Sequence, residues 1–276
     1  MPCRGWLDPC GRAVRGWSRF RGGTAMRRPV RTRCCVPPRL DVVVSAAGVD
    51  QGEQALRWVT YLSPSGGAER VGVLDDGDVL GSADPRDLGT LLAAGDQEVE
   101  RVYRQAVDEP VEIIMEPEAR VCAPTSPTAP VPVRTDRSSG KIAPELIVGV
   151  DDTVPSTART ARIGVAALTG ADGAACAYTP ACLWLDADEA PVRLSLGPVV
   201  TTADAVPERP LGLSASSEDR ELTRGLVLCG HEWLHDGPGQ IRALLTVVTP
   251  PLEEGDELFV EVEELGSFEV RIGSRV

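Results

Sequence analysis

The chain has 276 residues, 42% of them hydrophobic and 25% charged, an ordinary balance for a globular protein with enough length to bury a sizeable core. No run of about 18 apolar residues occurs, which excludes a transmembrane helix. Aromatic content of 4% and a formal net charge of −13 argue against a base-stacking or phosphate-backbone nucleic-acid binder.

That charge is unevenly placed. Residues 1–40 hold ten Arg against Asp8 alone, a sum of +9, so the remaining 236 residues carry −22. Four of the eight Cys (Cys3, Cys10, Cys34, Cys35) lie in the same head, and Lys141 is the single Lys of the chain. This bias matches a GC-rich coding sequence. No apolar period runs through residues 1–39, and the apolar centre of a secretory signal is missing. Residues 1–52 therefore read as an extension outside the fold, from an over-long gene start with Met26 or a later codon as the beginning. A basic arm for an acidic partner and an organelle transit peptide are the alternatives. Cys122, Cys176, Cys182 and Cys229 show no paired CxxC spacing, which points to free thiols in a reducing cytoplasm.

Residues 56–61 alternate as a strand does, a Gly-rich turn follows at Ser65-Gly66-Gly67, and a second strand fits Arg70–Leu74. Asp75-Asp76-Gly77-Asp78 is a turn into Val79-Leu80. Asp87 opens a helix over Asp87–Ala94 that Gly95 can end. Val99, Val102, Tyr103 and Ala106 recur at helical spacing within Gln97–Val107. Together these make a small α+β unit over residues 54–118.

Four Pro among Ser, Thr and Arg mark residues 123–140 as a linker or exposed extended segment outside the core. Short Val/Leu strands then fit Leu146–Val150, Ala181–Leu185, Val192–Leu196, Leu226–Cys229, Ala243–Val248 and Leu258–Val262. Helical periodicity is weak after residue 160. Residues 141–276 therefore read as a mostly antiparallel β-roll or β-sandwich, and the whole chain as mostly β with some α.

His231-Glu232-Trp233-Leu234-His235 matches HExxH and holds the only two His of the chain. On a helix both imidazoles would share a face and could bind zinc, with Glu232 activating its water. Gly230 before the motif and Asp236-Gly237-Pro238-Gly239 after it break any such helix, and no third ligand stands nearby. A surface turn or strand pair fits better; His231 or His235 as a proton-transfer group in a small-molecule pocket is the functional alternative. The acidic runs 186–189 and 253–257 read as solvated turn tips. Glu145, Asp151 and Asp152 bracket the apolar stretch 146–150, where acids at strand ends can face a pocket. No Walker loop, GxGxxG or GxSxG is present, so nucleotide-binding and serine-hydrolase readings have no support.

Several segments resemble the fumarylacetoacetate hydrolase family, in the same order along the chain. Pro251–Ile272 resembles its closing Pro-Gly-Asp turn and final strands, and Leu244–Pro250 (LLTVVTP) its Leu-Thr-Gly-Thr-Pro segment. Leu196–Pro207 (LGPVVTTADAVP) is similar to its Leu-Gly-Pro-x-x-Val-Thr-x-Asp-x-x-Pro signature, and residues 56–95 to its small N-terminal domain. The resemblance implies that family's fold, a homodimer through the large domain, and Mg²⁺ or Ca²⁺ held by a Glu-x-Glu pair and a later Asp. Glu145 matches the second Glu, but Ala143 stands where its partner would be, and Asp172 is the carboxylate nearest the later position. The family's Gly-x-Asn-Tyr strand and His-bearing lid have no counterpart, and Val247 or Val248 replaces the Gly of Leu-Thr-Gly-Thr-Pro.

A broken ligand set and a missing lid-borne base favour a repurposed, metal-independent pocket that isomerises or cyclises a ketone- or enol-bearing small molecule. The alternatives are a metal-dependent hydrolase, decarboxylase or isomerase of 2-oxo acids, and a non-catalytic ligand-binding subunit. Candidate catalytic groups are Glu145, His231 and His235. Arg159 and Arg162 could bind a carboxylate or enolate, Tyr178 and Trp184 could line the pocket or pack the core, and Glu145 with Asp172 would hold any metal.

Overall fold

The computed structural model describes residues 55–218, 220–230 and 237–273, all within the unit Val49–Val276. The expected extension 1–52 lies outside the described residues.

The described chain opens on an antiparallel meander of β1 (Arg57–Leu62), β2 (Glu69–Asp75) and β3 (Asp78–Gly81). Asp76 and Gly77 turn the second hairpin with φ of 47° and 86°, the two left-handed residues that match a two-residue connection to strand twist. Two helices follow, α1 (Leu88–Ala93) and α2 (Asp96–Asp108). Asp87 caps α1, its carboxylate accepting from the Thr90 N–H at 3.0 Å and the Thr90 hydroxyl at 2.6 Å. Gly95, at φ 95°, ends α1 and leads into α2, a reversal that suits a residue without a side chain. Val99, Val102, Tyr103 and Ala106 form the buried stripe of α2, and Tyr103 meets the edge of Trp58 at 5.6 Å between ring centroids. The short strand β4 (Ile113–Met115) closes this part by pairing with β3.

The rest is β structure. Its strands are β5 (Val131–Thr135), β6 (Ser139–Ile142), β7 (Ile147–Val148), β8 (Thr160–Thr169), β9 (Ala175–Leu185), β10 (Pro191–Leu196) and β11 (Val199–Thr202). They continue with β12 (Leu211–Ser217), β13 (Arg220–Val227), β14 (Ile241–Val248), β15 (Glu257–Val262) and β16 (Gly266–Arg271). One large sheet runs β4-β3-β2-β1-β11-β9-β8-β14-β5-β6, with β10 joining β9 to β7. A second sheet runs β13-β12-β15-β16. Between them lies the main core, with Ile163, Val165 and Trp184 on one side and Leu213, Val260 and Phe268 on the other. The architecture is thus mostly β with a little α, a mixed roll and sandwich, as the strand patterning predicts. Pairings are antiparallel except β14 with β5 and β10 with β7.

Three local expectations need correction. The Pro-rich segment 123–140 supplies β5 and the first residues of β6, and Val131 and Val133 are buried in the core of the large sheet. β5 is flanked by β14 and β6, and Pro132 lies just before the residues Val133–Thr135 that pair with β14. The strand expected over Leu146–Val150 shrinks to Ile147–Val148, because Pro144 starts a 3-10 turn through Leu146. β13 begins at Arg220, well before the expected Leu226, since its exposed polar residues hide the alternation. The two expected parts also share one sheet, through β1 on β11.

Candidate functional site

Among the described residues β8 and β9 form the longest ladder, from Thr160↔Leu185 to Thr169↔Ala175. Ile163, Val165 and Ala167 face the core between the sheets, so Arg162, Gly164 and Ala166 face the opposite side. Gly164 is needed there. A Cβ would run into the Leu244 carbonyl of β14, whose register slips between Leu245 and Val247. Arg162 lies across from Leu183 on β9 and Val248 on β14, with its side chain 13% exposed. Its Nη1 donates to Asp136 Oδ1 at 3.3 Å. Asp136 belongs to the turn between β5 and β6 and is half-exposed. A guanidinium has five N–H donors, so one carboxylate does not exhaust it.

Glu145 is exposed in the 3-10 turn before β7, and its contribution is a backbone carbonyl that accepts from Arg193 Nη1 at 3.1 Å. Asp172 sits in the β8–β9 turn, where its Oδ1 accepts from the Ala174 N–H at 2.8 Å. β7 lies beside β10, which pairs with the Leu185 end of β9, so Glu145 and Asp172 stand at opposite ends of the ladder. Ten residues of strand separate those ends, about 30 Å at 3.3 Å per residue. One ion cannot touch both. Among the described residues, no group of three His, Cys, Asp or Glu is placed to hold a metal ion. The donor set therefore does not fit the Mg²⁺ or Ca²⁺ that the resemblance implies.

The remaining candidates divide cleanly. Arg159 is exposed, and its Nη1 donates to the Ser156 and Ala158 carbonyls at 2.7 Å, which closes a local turn. Tyr178 is 3% exposed and Trp184 fully buried, both inside the core between the sheets. The Trp184 Nε1–H donates to Ser195 Oγ at 3.0 Å, and burial pushes the Tyr178 hydroxyl pKa up. Asp151 Oδ2 accepts from the Val121 N–H and Asp152 Oδ2 from the Gly149 N–H, each at 2.9 Å, so these acids fasten turns. His231 and His235 lie outside the described residues. The Asp136 partner of Arg162 was not visible from sequence. Asp136 and Arg162 are 26 residues apart and meet only through the β14–β5 and β14–β8 pairings.

The two-sheet fold is the one seen in solved structures of fumarylacetoacetate hydrolase type. No protein-family model matches the sequence, and no curated protein sequence matches it. Solved structures do. Fumarylacetoacetate hydrolase from psychrophilic Exiguobacterium antarcticum superposes with a TM-score of 0.66 at 15% identity, over 80% of this chain and 100% of that one. Maleylpyruvate hydrolase from Sphingobium sp. SYK-6 gives 0.64 at 16% identity, over 78% and 98%, and is also known in complex with manganese(II) and pyruvate. A probable 2-hydroxyhepta-2,4-diene-1,7-dioate isomerase from Mycobacterium abscessus gives 0.62 at 17%, over 81% and 100%. The chain has the fold of these proteins at low identity, as its sequence segments imply.

Proposed function

We propose that the chain is a small-molecule enzyme whose pocket works without a metal ion, and that it isomerises or cyclises a ketone- or enol-bearing anion. The observation that carries this reading is Arg162, with Asp136 as its hydrogen-bond partner, on the face of the β8–β9 ladder opposite the main core. A fixed guanidinium can hold a carboxylate bidentately and stabilise an enolate oxygen as charge develops on it. Asp136 orients the guanidinium while leaving N–H groups to the ligand. The fold likeness to hydrolases and an isomerase supports an enzyme of this general kind. The resemblance and the Arg-rich composition together are the grounds for a place in specialised metabolism, the resemblance alone for a homodimer, and the cysteines without paired spacing for the cytoplasm.

The test follows keto–enol interconversion of pyruvate and of a longer 2-oxo acid by ultraviolet absorbance, with EDTA-treated and untreated protein. Turnover that survives EDTA and falls about a hundredfold in Arg162→Gln is the expected result, since lost transition-state donors cost on the order of 10²–10³ in rate. Turnover abolished by EDTA and restored by Mn²⁺, or unaffected in Arg162→Gln, overturns the reading in favour of a metal-dependent relative of the hydrolases. Saturable binding of either oxo acid with no turnover would leave a ligand-binding subunit instead.

A further inference from the structure

The large sheet ends on β4, and among the described residues no strand pairs with its other side. The main-chain bonds say which groups are left there. The Glu112 carbonyl accepts from the Gly81 N–H at 2.8 Å, and the Glu116 N–H donates to the Gly77 carbonyl at 2.9 Å, both toward the β2–β3 hairpin. Antiparallel strands alternate such groups. With Leu80↔Ile113 and Asp78↔Met115 in register, the main chain of Ile113 and Met115 therefore points away from the sheet. The Met115 carbonyl accepts from the Ala119 N–H at 3.2 Å, which leaves the Ile113 N–H and carbonyl and the Met115 N–H at the edge.

The side chains at this edge are apolar and open. Ile113 is 62% exposed, Met115 55% and Val111 48%. Ile113 and Met115 share a face, since Ile114 between them packs against the cluster of Val59, Tyr61 and Val79. Edge strands are ordinarily blunted by charge or proline. Here Pro110 and Pro117 bound the edge, and the exposed face between them is apolar. An open edge of this kind takes an extended segment as a further strand.

Charge decides the kind of segment. Residues 108–120 hold five acids against Arg120 alone. Glu112 is engaged by Tyr61, Ser63 and Ser65, whereas Asp108, Glu109, Glu116 and Glu118 are exposed and enter no ion pair among the described residues. A second copy of this chain would bring the same acids face to face. Two three-residue strands also fall short of the roughly 1,200 Å² that a specific interface between folded proteins buries. A short basic segment brings opposite charge to both ends and draws its affinity from main-chain bonds.

We propose that the outer edge of β4 binds an extended segment of a partner protein, apolar at alternate positions and carrying Lys or Arg at both ends. Its main chain pairs with Ile113 and Met115, its apolar side chains lie against theirs, and its cations face Glu109 and Glu116. None of these residues belongs to the Arg162 site, so either proposal can fail alone.

The test is fluorescence anisotropy of labelled Lys-Val-Thr-Val-Thr-Val-Lys titrated with the full chain, and of Glu-Val-Thr-Val-Thr-Val-Glu as the charge-reversed match. Saturable binding of the basic peptide is expected, about tenfold or more weaker for the acidic one and about tenfold weaker in Ile113→Thr/Met115→Thr. Both side chains are exposed and Thr suits a strand, so the variant folds, as its melting temperature would confirm. Glu109→Gln/Glu116→Gln should weaken the basic peptide about threefold and remove much of the salt dependence of its binding. Equal binding of the two peptides, binding unchanged in Ile113→Thr/Met115→Thr, or no saturable binding overturns the proposal. A dimer in sedimentation velocity that the same variant disperses also overturns it, and gives the edge to a second copy.

Discussion

Glu112 shows how one side chain can hold distant segments. It accepts from the Tyr61 hydroxyl at 2.7 Å and from the Ser63 and Ser65 hydroxyls at 3.0 Å, which pins the approach to β4 against β1. Burial opposes its ionisation, but those hydrogen bonds and the charge of Arg70 outweigh it and hold the carboxyl below the usual range. Tyr61 is fully buried, so Glu112→Ala strands its hydroxyl. A loss of about 1–3 kcal/mol is expected in urea unfolding, with a smaller loss in Glu112→Gln, whose amide oxygen can still accept. Gly164→Ala should be worse, about 3 kcal/mol or more, because the β14 backbone must move for the new methyl group. The need for glycine at 164 was hidden in the sequence, since the carbonyl it would strike belongs to Leu244, 80 residues away.

The Pro-rich segment 123–140 and α1 mark the limits of local reading at the level of the element. α1 was legible because its determinants are adjacent: Asp87 caps, Leu88, Leu91 and Leu92 face inward, and Gly95 turns the chain. Asp87→Ala should cost about 1 kcal/mol in thermal unfolding. β5 was not legible, because its composition says turn and its burial comes from β14 lying alongside in parallel. Val133 is 5% exposed, so Val133→Asp should destabilise by about 3 kcal/mol or more, from a buried charge without a partner. A neutral outcome in chemical denaturation would restore the linker reading.

For the whole molecule, the depressed carboxylates act in the same direction. Hydrogen bonds from Arg101 and Arg86 hold Glu98 at about 2, and hydrogen bonds from Arg209 and the Gly212 N–H hold Glu263 at about 2. Asp84 is lowered by its hydrogen bond from Arg86. Each group binds its proton less readily folded than unfolded, where carboxyls titrate near about 4. The stability they contribute is therefore in place above about pH 4 and drains away as the pH falls toward about 2. Melting temperatures should be flat from neutral pH to about 5 and then drop, and the drop should shrink in Glu112→Gln. A constant melting temperature down to about pH 3 would show that these pairs contribute little.

What the sequence determined by itself was whatever depends on near neighbours: the Asp76-Gly77 hairpin, both helices, the alternation of β15 and the two-sheet β class, because period and turn chemistry are local. Its ordered segments also carried the fold likeness from residue 56 to residue 272. The site was decided only in three dimensions. Glu145 and Asp172 look compatible along the chain, yet the β8–β9 ladder holds them apart. Arg162 and Asp136 look unrelated, yet β14, paired to β5 on one side and β8 on the other, brings them together. Strand order and register set which side chains meet, and both arise from contacts far apart in the chain.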